Sequence, residues 1–89
     1  MQEGSISFVV TKETSKTPER LFGKKIRSLR TRLGISQEEL GFRAELHRNY
    51  VGQIERGMKS PTLGVILKLA RVLNCPAGKL VSAVERQLG

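Results

Sequence analysis

Apolar residues recur at helical spacing in five stretches of this chain, with polar punctuation between them. The first stripe is Phe22, Ile26, Leu29 and Leu33, one face of a 3.6-residue period. Thr17 is placed to cap this helix, Pro18 suits its first position, and Glu19 complements its positive end. Gly34 is a left-handed stop, so the spacing predicts a helix over 18–33. "SQEE" opens the next helix. Ser36 and Glu39 stand at capping-box spacing, where each satisfies a free backbone N–H of the other. Leu40 and Ala44 face inward, and the helix ends near Arg43–Glu45.

A third helix is expected over 47–56, closed by Gly57, with Val51 and Ile54 buried and Tyr50 on the same flank. Ser60 or Thr62 caps a fourth over 62–73. Leu63, Val65, Ile66, Leu67, Leu69, Ala70, Val72 and Leu73 make it apolar nearly all round, the pattern of a helix in the middle of a core. Asn74 can end it in a left-handed conformation. Pro76 leads into a fifth helix over 76–88, whose stripe is Leu80, Val81, Val84 and Leu88. That stripe is longer than one small core needs, so it is expected to continue into a dimer contact.

Before Thr17 the pattern fails. "SISFVV" alternates weakly and "TKETSKT" has no period. One isolated strand does not stabilise itself. Residues 1–17 therefore read as a flexible arm, and 18–89 as one helical domain. A single cysteine, Cys75, excludes an internal disulfide framework and suits a reducing cytoplasm; it reads as a small buried hydrophobe. No apolar run approaches the roughly 20 residues of a membrane span, and the basic-then-apolar order of a secretion signal is missing.

Charge narrows the function. Sixteen Lys and Arg stand against eight acidic residues, all of them Glu, for a net charge of +8. Residues 1–19 carry two basic and three acidic side chains, so the excess lies wholly in the helical part. A compact cationic domain attracts polyanions. Catalysis finds no support. His47 is the only histidine, there is no Asp, and no spacing suits zinc. Glu38 and Glu39 read as cap and helix-dipole residues, not as paired catalytic carboxylates. No cofactor is expected.

Two short helices joined by a tight turn, the second with long polar side chains, describe a helix-turn-helix. An α-helix fits the DNA major groove, where every base pair shows a distinct donor and acceptor pattern. In "HRNYVGQIERG" (47–57), Arg48, Asn49, Gly52, Gln53 and Arg56 share one broad face. Tyr50, Val51 and Ile54 lie opposite. Arg pairs with guanine in bidentate fashion, and Asn or Gln with adenine. Gly52 weakens the helix by up to about 1 kcal/mol relative to Ala, and the expected return is close approach of the backbone to the groove.

"IRSLRTRLGISQEEL" and "YVGQIERGMKSPTL", in this order and spacing, resemble the Xre/Cro-type, phage-repressor-like helix-turn-helix family over about residues 20–81. "HRNYVGQIER" is particularly similar to controller proteins of restriction–modification systems. The resemblance implies an all-α, five-helix, lambda-repressor-like bundle. It also implies a transcriptional regulator that binds a palindromic double-stranded DNA operator as a homodimer, with RNA polymerase as a partner where it activates.

Residue by residue, the resemblance makes Arg48, Asn49 and Gln53 base readers. Gln37 becomes a phosphate ligand that also braces the third helix, and Arg30–Glu55 a structural bridge. Arg43, Tyr50, Arg56 and Lys59 become phosphate contacts. His47, at the helix entrance, is a candidate for backbone contact. Two positions depart from the family pattern: Gly41 stands where alanine is usual, and Glu45 where the turn usually has glycine. A protein-interaction module, such as an antitoxin or a coactivator-like adaptor, would use the same bundle in another way.

Overall fold

The computed structural model describes residues 16–89. The arm expected over 1–17, with its candidate strand, lies outside the described residues except for its last two positions. Five helices follow: α1 (Pro18–Leu33), α2 (Gln37–Ala44), α3 (Arg48–Glu55), α4 (Leu63–Val72) and α5 (Ala77–Leu88). The described residues contain no strand, so the fold is all-α.

Local chemistry accounts for most of the helix ends. Thr17 accepts from the Arg20 N–H at 3.2 Å, and Thr62, not Ser60, accepts from Val65 at 3.3 Å. Ser36 accepts from Glu39 at 3.0 Å. The reciprocal half of that capping box is replaced, because the Glu39 carboxylate turns to Arg43 Nε one helical turn on, at 2.7 Å. Gly34 (φ 74°) and Asn74 (φ 55°) take the left-handed conformations expected of them. Glu45, where the family usually has glycine, is also left-handed, at φ 61°, and a side chain there costs roughly 1–2 kcal/mol.

The core joins all five helices. Ile26 of α1, Leu40 and Ala44 of α2, Val51 and Ile54 of α3, Leu69 of α4 and Leu80 of α5 are essentially inaccessible. α3 packs against α1 and α2, α2 against α4, and α5 against α1 and α4.

Two expectations change here. The fourth helix is not at the centre of the core. Leu69, Ala70 and the following Leu73 are buried, but Leu63 and Leu67 lie exposed on its outer side. Among the described residues no further element covers that face. The α5 stripe also divides. Leu80 is fully buried in the monomer core and Val84 nearly so, which removes Leu80 from the expected dimer contact. Val81 and Leu88, each 49% exposed, remain available.

Candidate nucleic-acid interface

The orientation of α3 is set by a buried carboxylate. Glu55, at its C-terminal end, is only 7% exposed. Its Oε2 accepts from Arg30 Nε at 2.6 Å, and its Oε1 accepts from Arg30 Nη2 and Gln37 Nε2, both at 3.0 Å. Arg30 Nη1 donates to the Ile35 carbonyl at 3.0 Å. One carboxylate thus ties α1, α2 and α3 together. The side-chain hydrogen bond and charge of Glu55 raise the affinity of the Arg30 guanidinium for its proton, against the opposing effect of burial. Hydrogen-bonded in this way, the Glu55 charge is tolerated out of water.

Close backbone approach completes the anchoring. Gly23 of α1 faces the Ile54 and Glu55 carbonyls, and a Cβ there would collide with both. At the tight turn, a Cβ on Gly41 would stand 2.5 Å from the Leu46 carbonyl oxygen. Glycine at this departure from the family pattern therefore matches the turn found here.

The outward side of α3 is polar. Arg48, Asn49, Gly52, Gln53 and Arg56 line an open concavity of about 680 Å³ together with Gln37 and Glu38 of α2. His47 caps α3, its Nδ1 accepting from the Asn49 N–H at 3.0 Å. Tyr50 is half-buried against the core. Arg43 stands apart from this concavity in its pair with Glu39. Lys59 is exposed on the loop after α3.

Gly52 does not present bare backbone to solvent. It is buried, and a Cβ on it would meet Arg56 Nη1 at 3.3 Å and Gln37 Oε1 at 3.4 Å. The missing side chain makes room for Gln37 to reach Glu55, which is a different role from the groove approach expected of it. Sequence reasoning also missed the acidic partners of the reading face. Arg48 Nη1 lies 3.7 Å from Glu38 Oε1, and both side chains are exposed. The Glu39–Arg43 pair was visible in its i,i+4 spacing; the Glu38–Arg48 pair depends on how α2 and α3 meet. Among the described residues, no group of three His, Cys, Asp or Glu side chains is placed to hold a metal ion.

This geometry agrees with what the chain is similar to. A family profile described as "Helix-turn-helix" matches residues 26–80. The chain belongs to the helix-turn-helix family. Control protein C.BamHI of Bacillus amyloliquefaciens is 43% identical over 54 residues, covering 60% of this chain and 67% of that protein. Control protein C.SmaI of Serratia marcescens is 33% identical over 82 residues, 92% and 89% of the two chains. The crystal structure of the restriction–modification controller protein C.AhdI from Aeromonas hydrophila superposes with a TM-score of 0.67 at 46% identity, covering 68% of this chain and 92% of that one. Family and relatives make this helix-turn-helix protein a DNA-binding transcription regulator.

Proposed function

We propose that this regulator acts as a homodimer on a palindromic operator, with α3 in the major groove, in the manner of a restriction–modification controller. One observation carries the reading. The polar side of α3 opens onto a concavity with Arg48, Asn49 and Gln53 on its wall, while Glu55, at the edge of that face, locks the helix to two others. A rigidly held helix with several donors on its free side suits recognition of base edges.

Arg48, Asn49 and Gln53 are the base readers of this proposal. Arg48 exchanges its weak, exposed contact with Glu38 for a guanine. Gln37, Arg43, His47, Tyr50, Arg56 and Lys59 contact the backbone, and the cations among them release counterions from phosphates. In a two-fold dimer the recognition helices stand about 34 Å apart, one DNA turn. Occupancy represses where the site overlaps a promoter; activation needs a further contact with RNA polymerase. The chemistry is that of binding, and the expected compartment is the cytoplasm. No helix among the described residues is long and apolar enough to cross a membrane.

Binding-site selection from random duplex DNA tests the base readers. Arg48→Ala is expected to relax preference at particular base pairs by roughly 1–3 kcal/mol, while Lys59→Ala weakens all sequences alike and lowers the salt slope. Indistinguishable selections from the two variants would overturn the assignment. Phe42, 80% exposed on α2, favours the second reading, a protein-interaction module. A gel shift over a salt series separates the two, since only the DNA reading demands a steep slope.

A further inference from the structure

Arg20 lies outside the α3 face and belongs to none of the groups assigned above. Its stem crosses the loop after α3 at Gly57, whose φ of 76° and missing Cβ leave it room; a Cβ there would collide with the Arg20 stem. Its Nη1 donates to the Arg56 carbonyl at 3.4 Å. Its Nε is buried and has no hydrogen-bond partner among the described residues. No carboxylate among the described residues stands within ion-pairing distance of Arg20. Among the described residues the guanidinium makes one hydrogen bond, on its exposed side, to a neutral carbonyl. A buried N–H left unsatisfied is costly, and more so on a charged group.

Around Arg20 is a second open concavity, of about 500 Å³. Arg56 and Lys59 stand on its wall with Arg20, and Thr17 and Ser60 add hydroxyl groups. Among the described residues Glu19 is the one carboxylate on that wall, so three cations face one anion there. Arg56 lines this concavity and the one in front of α3 as well. The two therefore adjoin at Arg56, the second lying toward the start of α1.

We propose that this cradle binds a phosphodiester of the DNA backbone and that Arg20 is a phosphate ligand. The strand whose bases meet α3 continues past Arg56, and its next contact is the group held by Arg20, Lys59 and the hydroxyls. Arginine suits this place because its fixed donors match phosphate oxygens. The anion also pairs a cation that has no carboxylate partner among the described residues. The inference rests on the DNA reading of α3 and adds α1 to the footprint.

The test uses the full chain and the operator duplex recovered by binding-site selection. Arg20→Met keeps the stem and removes the charge. Arg20→Gln keeps a donor for the Arg56 carbonyl and serves where Arg20→Met does not fold by circular dichroism. Either variant is expected to lower the slope of log affinity against log salt by about 0.9 per protomer. The set of selected bases stays unchanged. In ethylation interference, one phosphate per half-site that blocks the wild type becomes silent in the variant. An arginine with a merely structural role would alter the melting temperature and leave slope and interference pattern as they were, and that result overturns the proposal. If the wild type itself binds no duplex DNA, the reading of α3 falls, and this inference falls with it.

Discussion

At the scale of single residues, Glu55 decides the most. It is a buried anion whose two oxygens take three hydrogen bonds, two from Arg30 and one from Gln37. Removing one partner of a buried pair strands the other, which typically costs about 3–5 kcal/mol. Glu55→Ala is therefore expected to lose about that much stability, a large share of what a small domain has. Urea unfolding followed by circular dichroism measures it. Glu55→Gln, which keeps the volume and one acceptor, is expected to lose less. Arg30 holds its proton more tightly in the folded state. Its share of the stabilisation is present at every pH below the ordinary arginine range and fades only above the raised value, so it adds no pH dependence near neutrality. Sequence alone does not announce this pair. Arg30 and Glu55 are 25 positions apart, no periodicity links them, and only the family resemblance suggested the bridge. Glu45 was less legible: glutamate where glycine is usual left the turn geometry open, and only the structure shows it left-handed.

At the scale of elements, helix positions were legible because their ends are written in local chemistry. Thr17, Ser36 and Thr62 cap, and Gly34 and Asn74 stop, through contacts within a few residues of themselves. What α4 buries was not legible. Apolar residues on all sides name no face, and the choice fell to whichever side α2 and α5 cover. The helical glycines were opaque for the same reason, since their use depends on what packs opposite. Gly23 and Gly52 now separate. A Cβ on Gly23 runs into the backbone carbonyls of Ile54 and Glu55, which cannot swing aside. Gly23→Ala must push α1 and α3 apart, and a cost of about 1–3 kcal/mol is expected. A Cβ on Gly52 meets only the ends of the Gln37 and Arg56 side chains. Gly52→Ala is therefore expected to be neutral or to stabilise by up to about 1 kcal/mol through helix propensity. Thermal melts of both variants check the contrast. A Gly52→Ala protein that melts normally but no longer binds its operator would restore the close-approach role to this glycine.

At the scale of the whole molecule, two helices, α4 and α5, each expose a pair of apolar side chains. Leu63 and Leu67 stand one turn apart on the open side of α4, and Val81 and Leu88 two turns apart on α5. The two faces differ in what adjoins them. Val81 borders an apolar groove formed with Phe22, Pro61, Ile66 and Val84, so a partner side chain set against α5 has a recess to fill. Shape-complementary filling of this kind distinguishes a stable interface from a casual contact. The seam of the proposed dimer is accordingly placed on α5. Both residues are half exposed, so charging them leaves the monomer core intact. The double variant Val81→Glu, Leu88→Glu is expected to sediment as a folded monomer. Its operator affinity should fall by roughly 10²–10⁴, the avidity lost when two linked half-site contacts become independent. Leu63→Glu, Leu67→Glu is expected to remain dimeric and to bind as the wild type does. The reverse pattern in sedimentation would move the seam to α4, and with it the angle at which the two recognition helices meet the DNA.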